Sequence, residues 1–170
     1  ISKDEKYAIC IQHPTTLNED KSFNESQILF STLNSINYKI FLIYPCSDQG
    51  YLGVVRAIKN FSNNNKFSIH KNIEAFDFWG LMKNASFFIG NSSSGLMETP
   101  YFNLPTINLG MRQNGRIRDN NVIDAKYEKK SIQNAIKKVN SANFRNKIKN
   151  SYIFGKGKAS EKIFKVLKSI

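Results

Sequence analysis

At 170 residues, with 41% hydrophobic and 22% charged positions, the chain has the length and composition of one globular domain. Its longest apolar runs, such as Ile40-Phe41-Leu42-Ile43-Tyr44, are strand-sized and far short of a membrane span. The formal charge of +12 is concentrated late, from Lys126 to Lys168, and reads either as a nucleic-acid surface or as a solvated Lys/Asn/Ile-rich face. No aromatic-plus-basic patch, helix-turn-helix or RNA-binding signature accompanies it, which favours the solvated face and predicts neither a nucleic-acid nor a membrane partner.

The first predicted strand, residues 7–12, carries Cys10 and runs into His13-Pro14-Thr15-Thr16. Pro14 biases His13 toward extended backbone. The imidazole is a candidate phosphate donor or proton shuttle, or else a cap for the following segment; Thr15 and Thr16 offer hydroxyl donors or caps. A helical pattern over 23–35 repeats Ile28, Leu29, Leu33 and Ile36 at helical spacing. The second strand, 39–44, is followed by Pro45-Cys46-Ser47-Asp48-Gln49-Gly50, where Asp48 reads as a sugar contact or as the cap of a helix over 51–60. After a turn at Ser62-Asn63-Asn64-Asn65 come a strand over 66–69 and a helix over 75–84, whose Phe76, Phe78 and Trp79 read as core.

The densest cluster of polar signals follows. A strand over 86–89 leads into Gly90-Asn91-Ser92-Ser93-Ser94-Gly95-Leu96-Met97-Glu98 and a helix over 95–101. A strand that enters a helix through a Ser/Gly turn offers hydroxyls and backbone N–H groups to an anion. Ser92, Ser93, Ser94 and Gly95 are therefore candidate phosphate ligands, with a plain N-cap as the alternative. Glu98 is a candidate acceptor for ribose hydroxyls, or a first-turn carboxylate complementing the helix dipole. The fifth strand, 106–109, precedes Gly110-Met111-Arg112-Gln113-Asn114-Gly115-Arg116, in which Arg112 and Arg116 can fork onto phosphate or carboxylate. A short strand over 121–123 and helices over 130–139 and 160–167 complete the chain.

Strands apolar on both faces, alternating with helices, indicate an α/β doubly wound parallel sheet of six strands in the order 3-2-1-4-5-6, a Rossmann-like single domain over 1–170. Ligands bind where that order reverses, which brings His13 and the Asn91–Gly95 turn to one crevice. Two cysteines without metal spacing indicate a reducing, cytoplasmic setting, and the two histidines have no carboxylate cluster that would make a metal site. No dinucleotide glycine fingerprint, Walker lysine or nucleophile elbow is present, so no cofactor is expected. The chain begins at Ile1 without a signal-peptide pattern, which reads as a fragment or processed piece.

Taken together, Gln12-His13-Pro14-Thr15-Thr16, Tyr44-Pro45 with Asp48, Gly90-Asn91-Ser92-Ser93-Ser94-Gly95 with Glu98, Pro105–Gly110, Arg112-Gln113, Gly115-Arg116 and Gly155–Glu161 resemble the C-terminal half of the hydrolysing UDP-N-acetylglucosamine 2-epimerases. The arginine-rich segment and the Ser-Gly-Gly segment of the non-hydrolysing branch are missing. The resemblance implies half of a GT-B fold, with the N-terminal domain absent, and a nucleotide-sugar substrate; the sequence leaves open whether the protein is a homo-oligomer. It implies that Ser92, Ser93 and the helix start hold the diphosphate and Glu98 the ribose. His13 and Arg112 would face the scissile region as catalytic residues, Asp48 and Arg116 would contact substrate, and the Lys71–Ile73 strip, Ile73 in particular, would line the uracil. The family eliminates UDP to a 2-acetamidoglucal and then adds water. Cys46 and Lys156 depart from the family pattern, where Asn and an acidic residue are common. The isolated half is expected to bind UDP weakly and not to turn over. Two other readings remain: the nucleotide-sugar half of a GT-B glycosyltransferase, and a basic nucleic-acid-interaction domain.

Overall fold

A computed structural model describes residues 5–15, 18–149, 152–155 and 157–170; Thr16 and Lys156 lie outside the described residues. Six strands form one parallel sheet: β1 (Tyr7–Ile11), β2 (Lys39–Ile43), β3 (Phe67–His70), β4 (Phe87–Gly90), β5 (Thr106–Leu109) and β6 (Val122–Ala125). Their order is β3-β2-β1-β4-β5-β6, the arrangement expected from the alternating pattern. The order reverses between β1 and β4, which pair from Ala8 with Phe87 to Ile11 with Gly90.

Successive side chains of a strand point to opposite faces, and β1 divides its residues accordingly. Ala8 and Cys10 join one buried cluster with Leu29, Phe30 and Leu33 of α1 (Glu19–Asn34), Val54 and Ile58 of α2 (Tyr51–Lys59) and the apolar side of α5 (Lys129–Val139). Tyr7, Ile9 and Ile11 join a second cluster on the other face with Phe41, Phe88, Leu104 and Met82, the last from α3 (Ala75–Asn84). Burying both faces explains why the strands read as near-continuous apolar runs rather than alternating ones.

Helix boundaries depart from the sequence pattern where capping, not periodicity, sets them. α1 begins four residues before the expected position, because Asn18 accepts from the Lys21 N–H and Glu19 and Asp20 occupy an exposed first turn. The helix expected over 95–101 is instead a short α4 (Ser94–Met97) followed by a 3-10 turn (Thr99–Phe102). Pro100 cannot donate to a continuing helix, and Asn103 ends the turn at φ 49°. A four-residue α6 (Ala142–Arg145), capped by Ser141 and too short to show a period, precedes α7 (Ala159–Lys168).

The aromatics of α3 do not all enter the core. Phe78 packs on the second cluster, but Phe76 is 83% exposed and Trp79 41% exposed. Their side of α3 faces outward because the helix buries only Met82 fully. Among the described residues, no helix is long and apolar enough to cross a membrane.

Candidate functional site

The carboxyl ends of β1 and β4 are tied together by one side chain. Asn91, fully buried, accepts from the His13 N–H at 2.7 Å and donates to the His13 carbonyl at 2.9 Å. Asn91 can reach His13 because Gly90 leaves β4 at φ +139°, against Ile11; a Cβ there would lie 2.0 Å from the Ile11 carbonyl oxygen. Glycine is the residue that permits this approach.

Behind this pair sits a buried polar hub. The Tyr127 hydroxyl donates to Gln12 Oε1 at 3.1 Å and accepts from Gln12 Nε2 at 2.7 Å and Asn91 Nδ2 at 3.2 Å. Burial pushes the Tyr127 phenol above its ordinary range. Its ring lies beneath Gly110, where a Cβ would meet it at 2.6 Å. The loop after β5 closes the hub from the other side: Gln113 Nε2 and Arg112 Nη1 both donate to the Asn91 carbonyl, at 2.8 and 3.3 Å.

The imidazole of His13 has a defined state. Its Nδ1 accepts from the Cys46 N–H at 3.0 Å, so the proton of the neutral ring sits on Nε2. Burial, and then the charge of Arg112, lower its pKa to about 4, with Asp48 opposing. At neutral pH His13 is thus an uncharged N–H donor and a poor proton acceptor.

Arg112 reaches Asp48 at 3.3 Å, joining the β2 and β5 loops across the mouth of the crevice. Hydrogen bonds from the Cys46 side chain and then from Arg112 hold the Asp48 carboxyl below its ordinary value. The cap of α2 is Gly50, in the left-handed region at φ 88°, and not the Asp48 side chain. The cap alternative for Asp48 is therefore replaced by the ion pair. Beside Arg112 a cavity of about 810 Å³ opens between Lys21, Glu25, Met111 and Tyr127. The Thr15 hydroxyl donates to Glu25 Oε2 at its edge, at 2.9 Å.

Ser92, Ser93 and Ser94 form the turn into α4. Ser93 is its N-cap without a side-chain capping bond. Ser92 is nearly buried and its Oγ lies 3.4 Å from the Ser94 N–H. A four-residue helix aligns few peptide dipoles, so any anion held here depends on local N–H groups and hydroxyls. Gly95 serves packing: a Cβ would meet the Phe88 ring at 2.8 Å, and its N–H donates to the Ser92 carbonyl at 3.1 Å.

Glu98 closes α4 as its C-cap, so the first-turn dipole alternative does not hold. Its Oε2 accepts from Trp79 Nε1 at 2.9 Å. Arg116 is exposed, its Nη1 3.5 Å from Met97 Sδ. The loop that carries it is braced by Arg118, which donates to both Asp124 oxygens, at 3.1 and 2.8 Å, and to the Gln113 and Arg116 carbonyls. Ile73 is half-buried in the β3–α3 loop, on a pocket of about 610 Å³ with His70 and Asn72. Among the described residues no three His, Cys, Asp or Glu side chains gather as a metal site would require.

The sequence model of the family described as UDP-N-acetylglucosamine 2-epimerase matches residues 1–168. The chain belongs to this family. A UDP-N,N'-diacetylbacillosamine 2-epimerase (hydrolyzing) from Legionella pneumophila is 31% identical over 98% of the chain and 44% of its own length. A GDP/UDP-N,N'-diacetylbacillosamine 2-epimerase (hydrolyzing) from Campylobacter jejuni is 33% identical over 84% of the chain and 37% of its own length. The crystal structure of a UDP-GlcNAc 2-epimerase from Neisseria meningitidis bound to UDP-GlcNAc superimposes with a TM-score of 0.77 at 17% identity, covering 100% of the chain and 46% of that structure. The chain therefore spans less than half the length of these 2-epimerases and has the fold of one half of their GT-B architecture.

Within this 2-epimerase half, Gln12, Asn91, Gln113, Tyr127 and Arg118 organise the site without having been singled out as its residues. Gln12, Asn91 and Gln113 lie within the motif segments, and their burial is what the sequence does not show. Tyr127 carried no signal of its own, since its partners Gln12 and Asn91 lie in other segments. Arg118 gave none because its bonds to Asp124 and to the Gln113 and Arg116 carbonyls depend on how its loop folds back.

Proposed function

We propose that this chain is the nucleotide-binding half of a hydrolysing 2-epimerase acting on a UDP-linked 2-acetamido sugar. The observation that carries the reading is the state of His13: a neutral ring with its N–H on Nε2, held beside the Arg112 guanidinium where the strand order reverses. That pair suits a departing diphosphate, which gains negative charge as the sugar C1–O bond breaks. In the proposed assignment Ser92, Ser93 and Ser94 hold the diphosphate, Glu98 the ribose hydroxyls and the Ile73 loop the uracil. Asp48 and Arg116 stand at the sugar side.

The chemistry is an elimination and a hydration. A base takes the C2 proton, the C1–C2 double bond forms, and the C1–O electron pair leaves with UDP. Water then supplies hydroxide to C1, and a proton returns to C2 on the opposite face, releasing the 2-epimerised free sugar. His13 is unsuited to the first step as a base, because its acceptor nitrogen is engaged by Cys46 and its proton affinity is low. In this reading it donates to the leaving group, Arg112 neutralises charge there, and the C2 acid and base come from the other half of the enzyme. The chain alone then binds nucleotide without turning substrate over.

Calorimetric titration with UDP tests this. Saturable binding weakened at least fivefold by Ser92→Ala and by Arg112→Ala, with no epimerised sugar released from UDP-N-acetylglucosamine, is the expected result. Binding indifferent to both substitutions overturns the assignment, and turnover by the chain alone overturns the division of labour.

A further inference from the structure

Resting on the proposed placement of ribose at Glu98, we infer that Trp79 is a positioning residue for that carboxylate and sets how strongly the site reads ribose hydroxyls. Trp79 Nε1 donates to Glu98 Oε2 at 2.9 Å, from α3 onto the end of α4, across nineteen residues of sequence. A tryptophan still 41% exposed leaves much of its apolar surface in water, and its ring packs edge-on against Phe76, itself 83% exposed, with centroids 5.5 Å apart. Neither ring is held there by the core. What the indole gains in this position is the bond to Glu98, beside a pocket of about 490 Å³ that Trp79 and Glu98 line with Tyr101 and Phe102.

The indole N–H is a donor only, and a carboxylate accepts through two oxygens. With Oε2 taken by Trp79, Oε1 is left for a hydroxyl of the ligand, and the glutamate no longer has to be ordered by the ligand itself. A side chain with three rotatable bonds loses less freedom on binding when its carboxylate is fixed beforehand. The consequence is specific. Removing the indole donor weakens recognition of the ribose hydroxyls and leaves contacts to diphosphate and uracil as they were.

The test compares UDP with 2′,3′-dideoxy-UDP on the wild-type chain, Trp79→Phe, Trp79→His, Glu98→Gln and the Trp79→Phe/Glu98→Gln pair, with Kd from calorimetry. Trp79→Phe is expected to weaken UDP about five- to tenfold and dideoxy-UDP less than twofold. Trp79→His, which keeps a ring N–H, restores at least half of the lost discrimination on a logarithmic scale. In the Glu98→Gln background the phenylalanine substitution changes neither ligand by more than twofold, the signature of one coupled pair. Trp79 is the chain's single tryptophan, so its emission also shifts on UDP addition in the wild-type chain and by less than half as much with dideoxy-UDP. Equal loss of both ligands in Trp79→Phe, or no loss of either, overturns the inference while leaving UDP binding at Ser92 intact. UDP binding indifferent to Ser92→Ala and Glu98→Gln overturns the ribose placement itself, and this inference with it.

Discussion

His13 has been given one job by its surroundings. Its ordinary pKa near 6.5 falls to about 4 because burial and Arg112 both penalise the imidazolium. Between those values the unfolded chain binds a proton that the folded chain does not, so stability rises with pH through that window. It is fully present above about 6.5 and lost as the pH falls toward 4. With the ring partly open to solvent, the loss is about 1–2 kcal/mol. Urea denaturation at pH 7 and pH 4.5 should show this drop in the wild-type chain and a smaller one in His13→Gln. Ring-nitrogen NMR should find Nδ1 unprotonated and Nε2 protonated at pH 6, where an ordinary histidine is largely charged. Tyr127 is a second residue whose role lies in its partners. Tyr127→Phe leaves buried donors on Gln12 and Asn91 without their acceptor, and should cost about 1–3 kcal/mol in the same denaturation assay.

At the level of elements, the sheet was readable from the sequence because its physics is local. Ile9 and Ile11 on one face of β1, with Ala8 and Cys10 on the other, give an apolar run that only a strand covered on both sides can bury. The convergence of segments was readable where short motifs follow strand ends, since the expected strand order brings His13, the Ser92–Ser94 turn and Arg112 around Asn91. It was not readable where partners are distant. The strand order brings Asn91 to the same crevice as His13, but nothing in the sequence announces that its side chain bonds the His13 backbone 78 positions away. Nothing in the α3 pattern distinguishes a ring that packs inward, Phe78, from one that faces Glu98, Trp79. The short α4 was obscured for a different reason, since the apolar spacing continues through Pro100 although the hydrogen bonding cannot. Gly95 shows how a motif position can have a steric basis. Gly95→Ala presses a methyl into the Phe88 ring at 2.8 Å and should destabilise by about 1–3 kcal/mol. If the constraint is steric, Phe88→Leu in the same chain recovers part of that loss; a substitution without effect on the melting temperature would refute it.

For the whole molecule, stability and charge are distributed unevenly. The two buried clusters draw on β1 to β5 and on helices α1, α2, α3 and α5, whereas no residue of α7 is buried. Ile163, Phe164 and Leu167 of that helix are each at least 60% exposed. Removing residues 159–170 therefore takes away little buried surface, and the melting temperature should fall by no more than about 2–4 °C. A collapse of the cooperative transition would instead show that α7 contributes to the folded core. The described ion pairs, Arg56–Asp20, Arg112–Asp48 and Arg118–Asp124, all use arginine, although lysine dominates the +12 charge.

Asn91 meets both backbone groups of His13, an N–H and a carbonyl, in the manner of a neighbouring strand residue. The β1–β4 ladder, whose register ends at Ile11 and Gly90 and whose last backbone bond runs from the Asn91 N–H to the Ile11 carbonyl, thus continues one rung further through a side chain. A residue that looks like the first of a loop is mechanically part of the sheet. Its amide should exchange with deuterium on the timescale of the strand amides of Ile9 and Ile11, far more slowly than those of Thr15 or Ser47. In Asn91→Ala that single amide should become fast while the strand amides stay slow. The chain would then have kept its sheet and lost the extra rung that holds the imidazole still.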